Sequence, residues 1–461
     1  MITFSVALVC LLLGYFFYGA VVERVFKPDA SAEMPCYTRQ DGVDYMPLPL
    51  WRVILIQFLN IAGTGPIFGA IMGILFGPMA YLWIVFGCIF AGAVHDYLCG
   101  MISVRKQGLS LPELVGDELG SGMRRFMSVF SLVLLVGVGA VFVITPAALL
   151  DRLVPSQGWW FSTQFWIAVI FLYYVLATLL PIDKLIGRFY PVFGLALLLM
   201  AVGVSYGIFT QAGHVPELTD GLLANHHPRN FHPLMLPVFP MVCVTIACGA
   251  ISGFHATQSP LMARCLTNEC YGRPVFYGAM ILEGVVALVW ASAAIKYADS
   301  LPGEGTPYFK LMSLGSPTIV VRDICTSWMG VVGSVLAILG VVAAPITSGD
   351  TAFRSARLIT ADFLHMKQDV LWKRLVLSLP LFAVALWLMN IDFAVLWRYF
   401  AWTNQTMATV MLWTAALWLR RQGKCYWIAL VPAVFMTAVS VLYILVAPEG
   451  FHLRFLYQFL F

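Results

Sequence analysis

An all-α polytopic membrane protein is the fold class this sequence predicts. Three observations carry it. The composition is 61% hydrophobic and only 11% charged, far too little charge to cover a soluble surface. About twelve apolar runs approach the roughly 20 residues that a spanning helix needs. Two of those runs are broken in mid-span by glycine, proline and polar residues. The net charge of +4 gives no nucleic-acid signal. Ten cysteines stand singly and eight histidines form no i, i+4 pair in a span, so the sequence offers no metal or cofactor site.

Taken in order, Ile2–Val22 is the first run and reads as an anchor, with a polar connection after it to Leu50. Trp51–Phe76 is interrupted at Asn60-Ile61-Ala62-Gly63-Thr64-Gly65-Pro66. Pro78–Ile102, Phe126–Leu149, Gln164–Leu180 and Phe189–Phe209 follow. After a loop come Leu236–Cys265, broken around Gly249–Pro260, then Pro274–Ile295 and Trp328–Thr347. Leu371–Met389, Phe393–Leu419 and Tyr426–Val446 complete the set. In the second break, Ser259-Pro260 reads as a helix restart, a serine cap followed by proline at the first helical position. Broken backbone survives in a membrane only when buried in protein or lining a cavity. A proline-kinked helix packed on its neighbours is the alternative.

With the N-terminus outside, 20 of the 27 lysines and arginines fall inside. Arg152, Arg229, Lys296, Lys310, Arg322 and Arg454 stay outside, and Arg398 lies in a span. That asymmetry predicts both termini to be periplasmic. The chain divides into a peripheral helix and cytoplasmic connection (1–50), a group of five helices (51–210) and a periplasmic loop (211–235). A second group of five (236–419) and a last helix with the C-terminus (420–461) follow. Each group opens on its broken helix, and five being odd, the second group enters the membrane from the opposite side. Discontinuous helices at matching positions of inverted repeats point to a transporter's midplane site.

Several blocks resemble the carbon starvation protein A family: Gly63-Thr64-Gly65-Pro66, Gly92-Ala93-Val94-His95-Asp96-Tyr97 and Thr257-Gln258-Ser259-Pro260-Leu261-Met262-Ala263-Arg264. Thr347-Ser348-Gly349-Asp350-Thr351-Ala352-Phe353-Arg354 and Arg398-Tyr399-Phe400-Ala401-Trp402-Thr403-Asn404-Gln405 are two more. The resemblance implies a bacterial inner-membrane carrier of peptides or pyruvate, made when carbon runs short and coupled to protons. It also implies a leucine-transporter-like five-plus-five core, as in the amino acid–polyamine–cation carriers. Set against the family's best-known members the sequence is shorter, and the resemblance implies that it would be without their additional C-terminal helices.

A half-helix starting at Pro66 or Pro260 would aim a positive dipole end at a carboxylate. Gly63, Thr64, Gly65, Gly253, His255, Thr257, Gln258 and Ser259 are therefore the expected substrate-binding residues. Arg398, Asn404 and Gln405 join them, Arg398 either as a carboxylate clamp or snorkelling to the interface. Ionisable groups inside spans tend to mark ion paths. Glu283 and His255 are the leading proton carriers, ahead of Asp96, which could instead pair with a cytoplasmic arginine near the inner end of its helix. Glu283 could also be a protonated structural residue. Asp350, near an inner end, is a further coupling candidate. Thr347 and Ser348 with the first break could instead cage sodium.

The expected partners are a small carboxylate, a coupling cation (H+ ahead of Na+) and the bilayer, with no nucleic acid. No filter-like repeat supports a channel, and no convergent catalytic set supports an enzyme. A secondary importer is the reading these features favour. A starvation sensor without transport is the alternative.

Overall fold

The computed structural model describes residues 1–461 except 43, 155–157, 180–181, 229–236, 367, 369, 392, 449 and 454–461. Leu180, Arg229, Leu236 and Arg454, named above as span ends or loop charges, lie outside the described residues, as does the whole 229–235 end of the loop. Among the described residues there is no β-strand. The helices are α1 (Ile2–Phe26), α2 (Leu50–Ile61), α3 (Gly65–Phe76), α4 (Met79–Arg105), α5 (Leu111–Leu119) and α6 (Ser121–Leu153). Next come α7 (Thr163–Leu179), α8 (Ile182–Thr210), α9 (Val238–Thr245), α10 (His255–Ala263) and α11 (Glu269–Ser300). The last are α12 (Pro307–Ser313), α13 (Pro317–Leu336), α14 (Ala343–Leu364), α15 (Leu371–Leu388), α16 (Phe393–Arg421) and α17 (Trp427–Val446).

Every expected run but Trp328–Thr347 coincides with a helix or a broken pair of helices. Among the described residues, eight stretches are long and apolar enough to cross a membrane, and the bent pair α2–α3 makes a ninth. Outer faces carry exposed apolar side chains such as Leu172, Val202, Val331 and Val431, as a surface solvated by lipid tails requires. The two broken helices, with α4, α6, α11 and α14, make up most of the interior.

The α2–α3 break bends the chain by 45°. Pro66 has no N–H and its ring would clash with the carbonyl four residues back, so α2 cannot run on through it. Gly65 is needed because a Cβ there would stand 2.4 Å from Cys248 Sγ. The two breaks therefore touch each other directly.

The second break differs from expectation. Backbone 246–254 is non-helical and α10 restarts at His255, with Phe254 as its N-cap and Pro260 inside the helix. Ser259-Pro260 is thus no cap. Proline inside a helix frees the carbonyl four residues back, here that of Ala256, and Cys99 Sγ on α4 donates to it at 3.4 Å. A second correction concerns the expected span Trp328–Thr347. Gly330 adopts φ 59° and kinks α13, and the following helix runs on to Leu364. Asp350 consequently lies well inside a helix, fourteen residues before its last residue, rather than at its end.

Candidate functional site

Asn404 of α16 holds the second break in shape. Its Oδ1 accepts from Phe254 N at 2.6 Å and from Ser252 Oγ at 3.1 Å, while its backbone oxygen accepts from Gly253 N at 3.1 Å. A Cβ on Gly253 would come within 2.3 Å of that same oxygen, so glycine serves the α16 contact here. Gln405 Nε2 donates to Cys243 O on α9 at 2.9 Å. Both residues, expected beside substrate, are engaged in tying α16 to the broken helix. Gly63 faces the ring of Phe142.

The consequence is an asymmetry between the two half-helices. Neither half-helix has a hydrogen bond from its own cap residue's side chain, but at α10 the N–H of the cap residue Phe254 is taken by Asn404 Oδ1 from another helix. An uncapped helix start attracts anions through its free N–H groups and its dipole. Thr64 stands at that start, buried, and its hydroxyl has no hydrogen-bond partner among the described residues.

Three expected coupling residues meet beneath the breaks. His255 Nδ1 lies 2.9 Å from Asp96 Oδ2, and His255 Nε2 lies 3.3 Å from Glu283 Oε2. His95 Nδ1 is 2.8 Å from Asp96 Oδ1, and all four side chains are 0% exposed. The Asp96 partners are thus two histidines, and the arginine pairing entertained from the sequence is replaced by them. The Glu283 contact is close but misaligned, and neither of its oxygens makes a hydrogen bond among the described residues. An imidazole between two carboxylates from different helices can accept a proton on one side and release it on the other. Cys248 comes within the same small space: its thiol, His255 and Glu283 have ligand atoms within 4.8 Å of one another. That set has the donors for a soft divalent ion, a grouping the sequence spacing gave no sign of.

Thr347 Oγ1 donates to Ala344 O at 2.8 Å, and Ser348 Oγ donates to Leu59 O at 3.0 Å and to Ala344 O at 2.9 Å. Ser348 therefore links α14 to the last turn of α2, beside the first break. Asp350 is buried two residues further along α14. Thr257 Oγ1 donates to Phe254 O at 2.7 Å, and Ser259 Oγ accepts from Gln57 Nε2 at 3.2 Å.

Arg398 does not join this cluster. It lines a cavity of about 340 Å³ on the Phe76 side of the breaks, with Met72, Met241, Thr245, Trp397 and Ala401. Six residues of α16, about 9 Å of helix rise, separate it from Asn404.

On the opposite side, the connection between α1 and α2 folds under the breaks. Asp44 lies 3.4 Å from Arg354 Nη1 and 3.9 Å from Arg357 Nη2, both on α14. Leu48 N donates to Cys265 O at 3.2 Å, and Arg264 Nε donates to Gly108 O at 2.9 Å. Burial alone would raise the Asp44 carboxyl, but Arg354, Arg357 and Arg264 outweigh it and hold it below its usual range. Sequence reasoning missed Asp44 because a carboxylate in a polar loop is ordinary. It also passed over Gln57, although a glutamine deep in an apolar run is a signal of the same kind as Asp96.

The sequence model of the carbon starvation protein CstA family matches residues 1–157 and 147–301. An uncharacterized membrane protein of Haemophilus influenzae is 44% identical over 341 residues, covering 65% of this chain and 92% of its own length. The peptide transporter CstA of Campylobacter jejuni is 28% identical over 403 residues, 70% of this chain and 54% of that protein. The chain thus spans about half of that relative's length. The peptide transporter CstA of Mycobacterium tuberculosis is 26% identical over 563 aligned positions, covering 93% of this chain and 73% of its own. Among solved structures, MhsT in complex with L-phenylalanine superposes with a TM-score of 0.59 at 13% identity, over 84% of this chain and 98% of its own. That likeness gives the fold: a polytopic, leucine-transporter-like membrane protein. On the family match, on relatives that are transporters and on that fold, the chain is a membrane transporter and belongs to the carbon starvation protein CstA family.

Proposed function

We propose that this protein is a proton-coupled secondary importer of small carboxylate nutrients, peptides or pyruvate, in the bacterial inner membrane, made under carbon starvation. The observation that carries the reading is the pair of touching breaks, with an uncapped helix start at Gly65 above a buried Asp96–His255–Glu283 chain. The substrate carboxylate docks at the start of α3, and Thr64 adds its hydroxyl. Coupling runs through His255, because it contacts both carboxylates and sits in the first turn of the half-helix that must move. The charge asymmetry supports periplasmic termini, and two inverted groups of five spans, the broken pair α2–α3 with α4, α6, α7 and α8, and the broken pair α9–α10 with α11, α13–α14, α15 and α16, supply the alternating access.

Purified protein in proteoliposomes tests this. Labelled dipeptide or pyruvate should accumulate when the outside is made acidic, with no ATP and no sodium. Binding without flux would favour a sensor. Sodium-dependent uptake that fails when Thr347 and Ser348 lose their hydroxyls would move the coupling to α14.

A further inference from the structure

Cys248, His255 and Glu283 share no regular spacing in the sequence, yet the fold sets their ligand atoms within 4.8 Å of one another. Cys248 lies in the unwound stretch of the second break, His255 opens α10, and Glu283 stands on α11. Cys248 is 3% exposed and the other two are 0% exposed. His255 Nε2 and Glu283 Oε2 lie 3.3 Å apart, but neither makes a hydrogen bond among the described residues, and Glu283 Oε1 has no partner there either. The Cys248 thiol makes long contacts, 3.6 Å to Ser252 Oγ and 3.7 Å to Asn404 Nδ2.

The spacing is the one that ligands of a single ion adopt. A nitrogen and an oxygen bound to one tetrahedral ion at about 2.0–2.2 Å stand about 3.3–3.5 Å apart and need no alignment towards each other. Sulfur and nitrogen on the same ion stand about 3.6 Å apart, so the thiol has at most about 1.2 Å to close. Cysteine, histidine and glutamate are the donors that zinc-like ions take. A thiolate and a carboxylate together neutralise a divalent ion, which a buried charge requires, and the thiol proton leaves as the ion binds. The surroundings of His255 are those of a metal-bound imidazole. Asp96 Oδ2 lies 2.9 Å from His255 Nδ1, which puts the hydrogen of the neutral ring on Nδ1 and leaves Nε2 its lone pair. His95 Nδ1 in turn lies 2.8 Å from Asp96 Oδ1. A carboxylate behind the imidazole fixes its tautomer and raises its basicity as a ligand.

We propose that Cys248, His255 and Glu283 bind a divalent cation of the zinc class, with Asp96 as the positioning residue behind His255. The ion ties the second break to α11 and occupies the nitrogen through which His255 meets Glu283, so it arrests uptake driven by a pH gradient. The arrest rests on the importer reading; the binding does not. Chelator-treated, reduced protein is titrated with Co2+, whose ligation by a thiolate gives an ultraviolet charge-transfer band, and then with competing Zn2+. One equivalent of Co2+ should bind with that band, and Zn2+ should displace it. Cys248→Ser should abolish the band, while Glu283→Gln and Asp96→Asn should weaken binding about tenfold to a hundredfold. Melting midpoints without metal show which variants are folded, and Zn2+ should raise the midpoint of the parent but not of Cys248→Ser. A parent without the band, or a band that survives in folded Cys248→Ser, overturns the site. Should Cys248→Ser not fold, undiminished binding by Glu283→Gln overturns it instead. In proteoliposomes, inhibition is read against each protein's own metal-free rate, and Cys248→Ser should need about tenfold more Zn2+ than the parent. Cys248-dependent binding that leaves uptake untouched keeps the site and overturns coupling through His255. A parent that binds Zn2+ through Cys248 but takes up no substrate keeps the site and overturns only the importer reading.

Discussion

At His255, one imidazole contacts carboxylates carried by two other helices. Charge-removing changes that keep size separate its role from packing. Glu283→Gln and His255→Gln should leave substrate exchange running while accumulation driven by a pH gradient stops, read as counterflow against net uptake in proteoliposomes. Net accumulation in the double variant would remove both residues from coupling. Asn404 makes a different demand. Asn404→Ala strands Phe254 N–H and the Ser252 hydroxyl, at about 1–3 kcal/mol for each buried group. The expected outcome is a lowered melting midpoint in detergent together with weakened substrate binding. His255, Glu283 and Asp96 were legible in the sequence because ionisable groups in apolar runs stand out. Their partners were not. Nothing in a single sequence says that residues 96, 255 and 283 share one point in space, or that Asn404 spends its side chain on a backbone amide.

Among the helices, the first break was read correctly and the second was displaced. At the first break α2 ends at Ile61 and the helix restarts at Gly65, with Pro66 in its first turn, where proline is tolerated. At Pro260 the helix does not stop, because Cys99 reaches the freed Ala256 carbonyl. A tertiary contact decided between two local readings of the same dipeptide pattern. Gly253→Leu follows from the same packing. The added side chain would meet the α16 backbone at once, with an overpacking cost of about 1–3 kcal/mol or more. Substrate affinity and thermal stability should therefore fall together. A Gly253→Leu protein of normal stability that had lost only substrate affinity would mean the glycine faces the ligand instead.

For the whole molecule, the composition, the broken runs and the spacing of the two groups were enough to reach the fold class, while the tying of loops to helices needed coordinates. Glu217 is one such tie. Its carboxylate accepts from the chain's amino group, from Ile2 N at 2.9 Å and from Thr3 N at 2.7 Å, fastening α1 to the loop after α8. Burial would raise it, but these hydrogen bonds prevail and bring it from 4.5 down to about 2. A depressed carboxylate stabilises fully above its unfolded value and loses that contribution as pH falls through its folded value. The melting midpoint should thus decline between pH 4.5 and about 2 more steeply in the parent than in Glu217→Gln. Asp44 closes the opposite face, and Asp44→Asn should loosen the connection under α10, seen as faster labelling of Cys265 by a membrane-permeant maleimide. Unchanged labelling would show that the Asp44 pairing does not hold that face shut.

The most direct measurement is uptake of labelled alanyl-alanine and labelled pyruvate into proteoliposomes under an imposed pH gradient, inside alkaline, with parent and His255→Gln proteins side by side. Accumulation in the parent that collapses with a protonophore, and is absent from His255→Gln while exchange persists, is the expected result. Accumulation that is indifferent to the protonophore, or equal in the two proteins, would contradict proton coupling through the buried histidine.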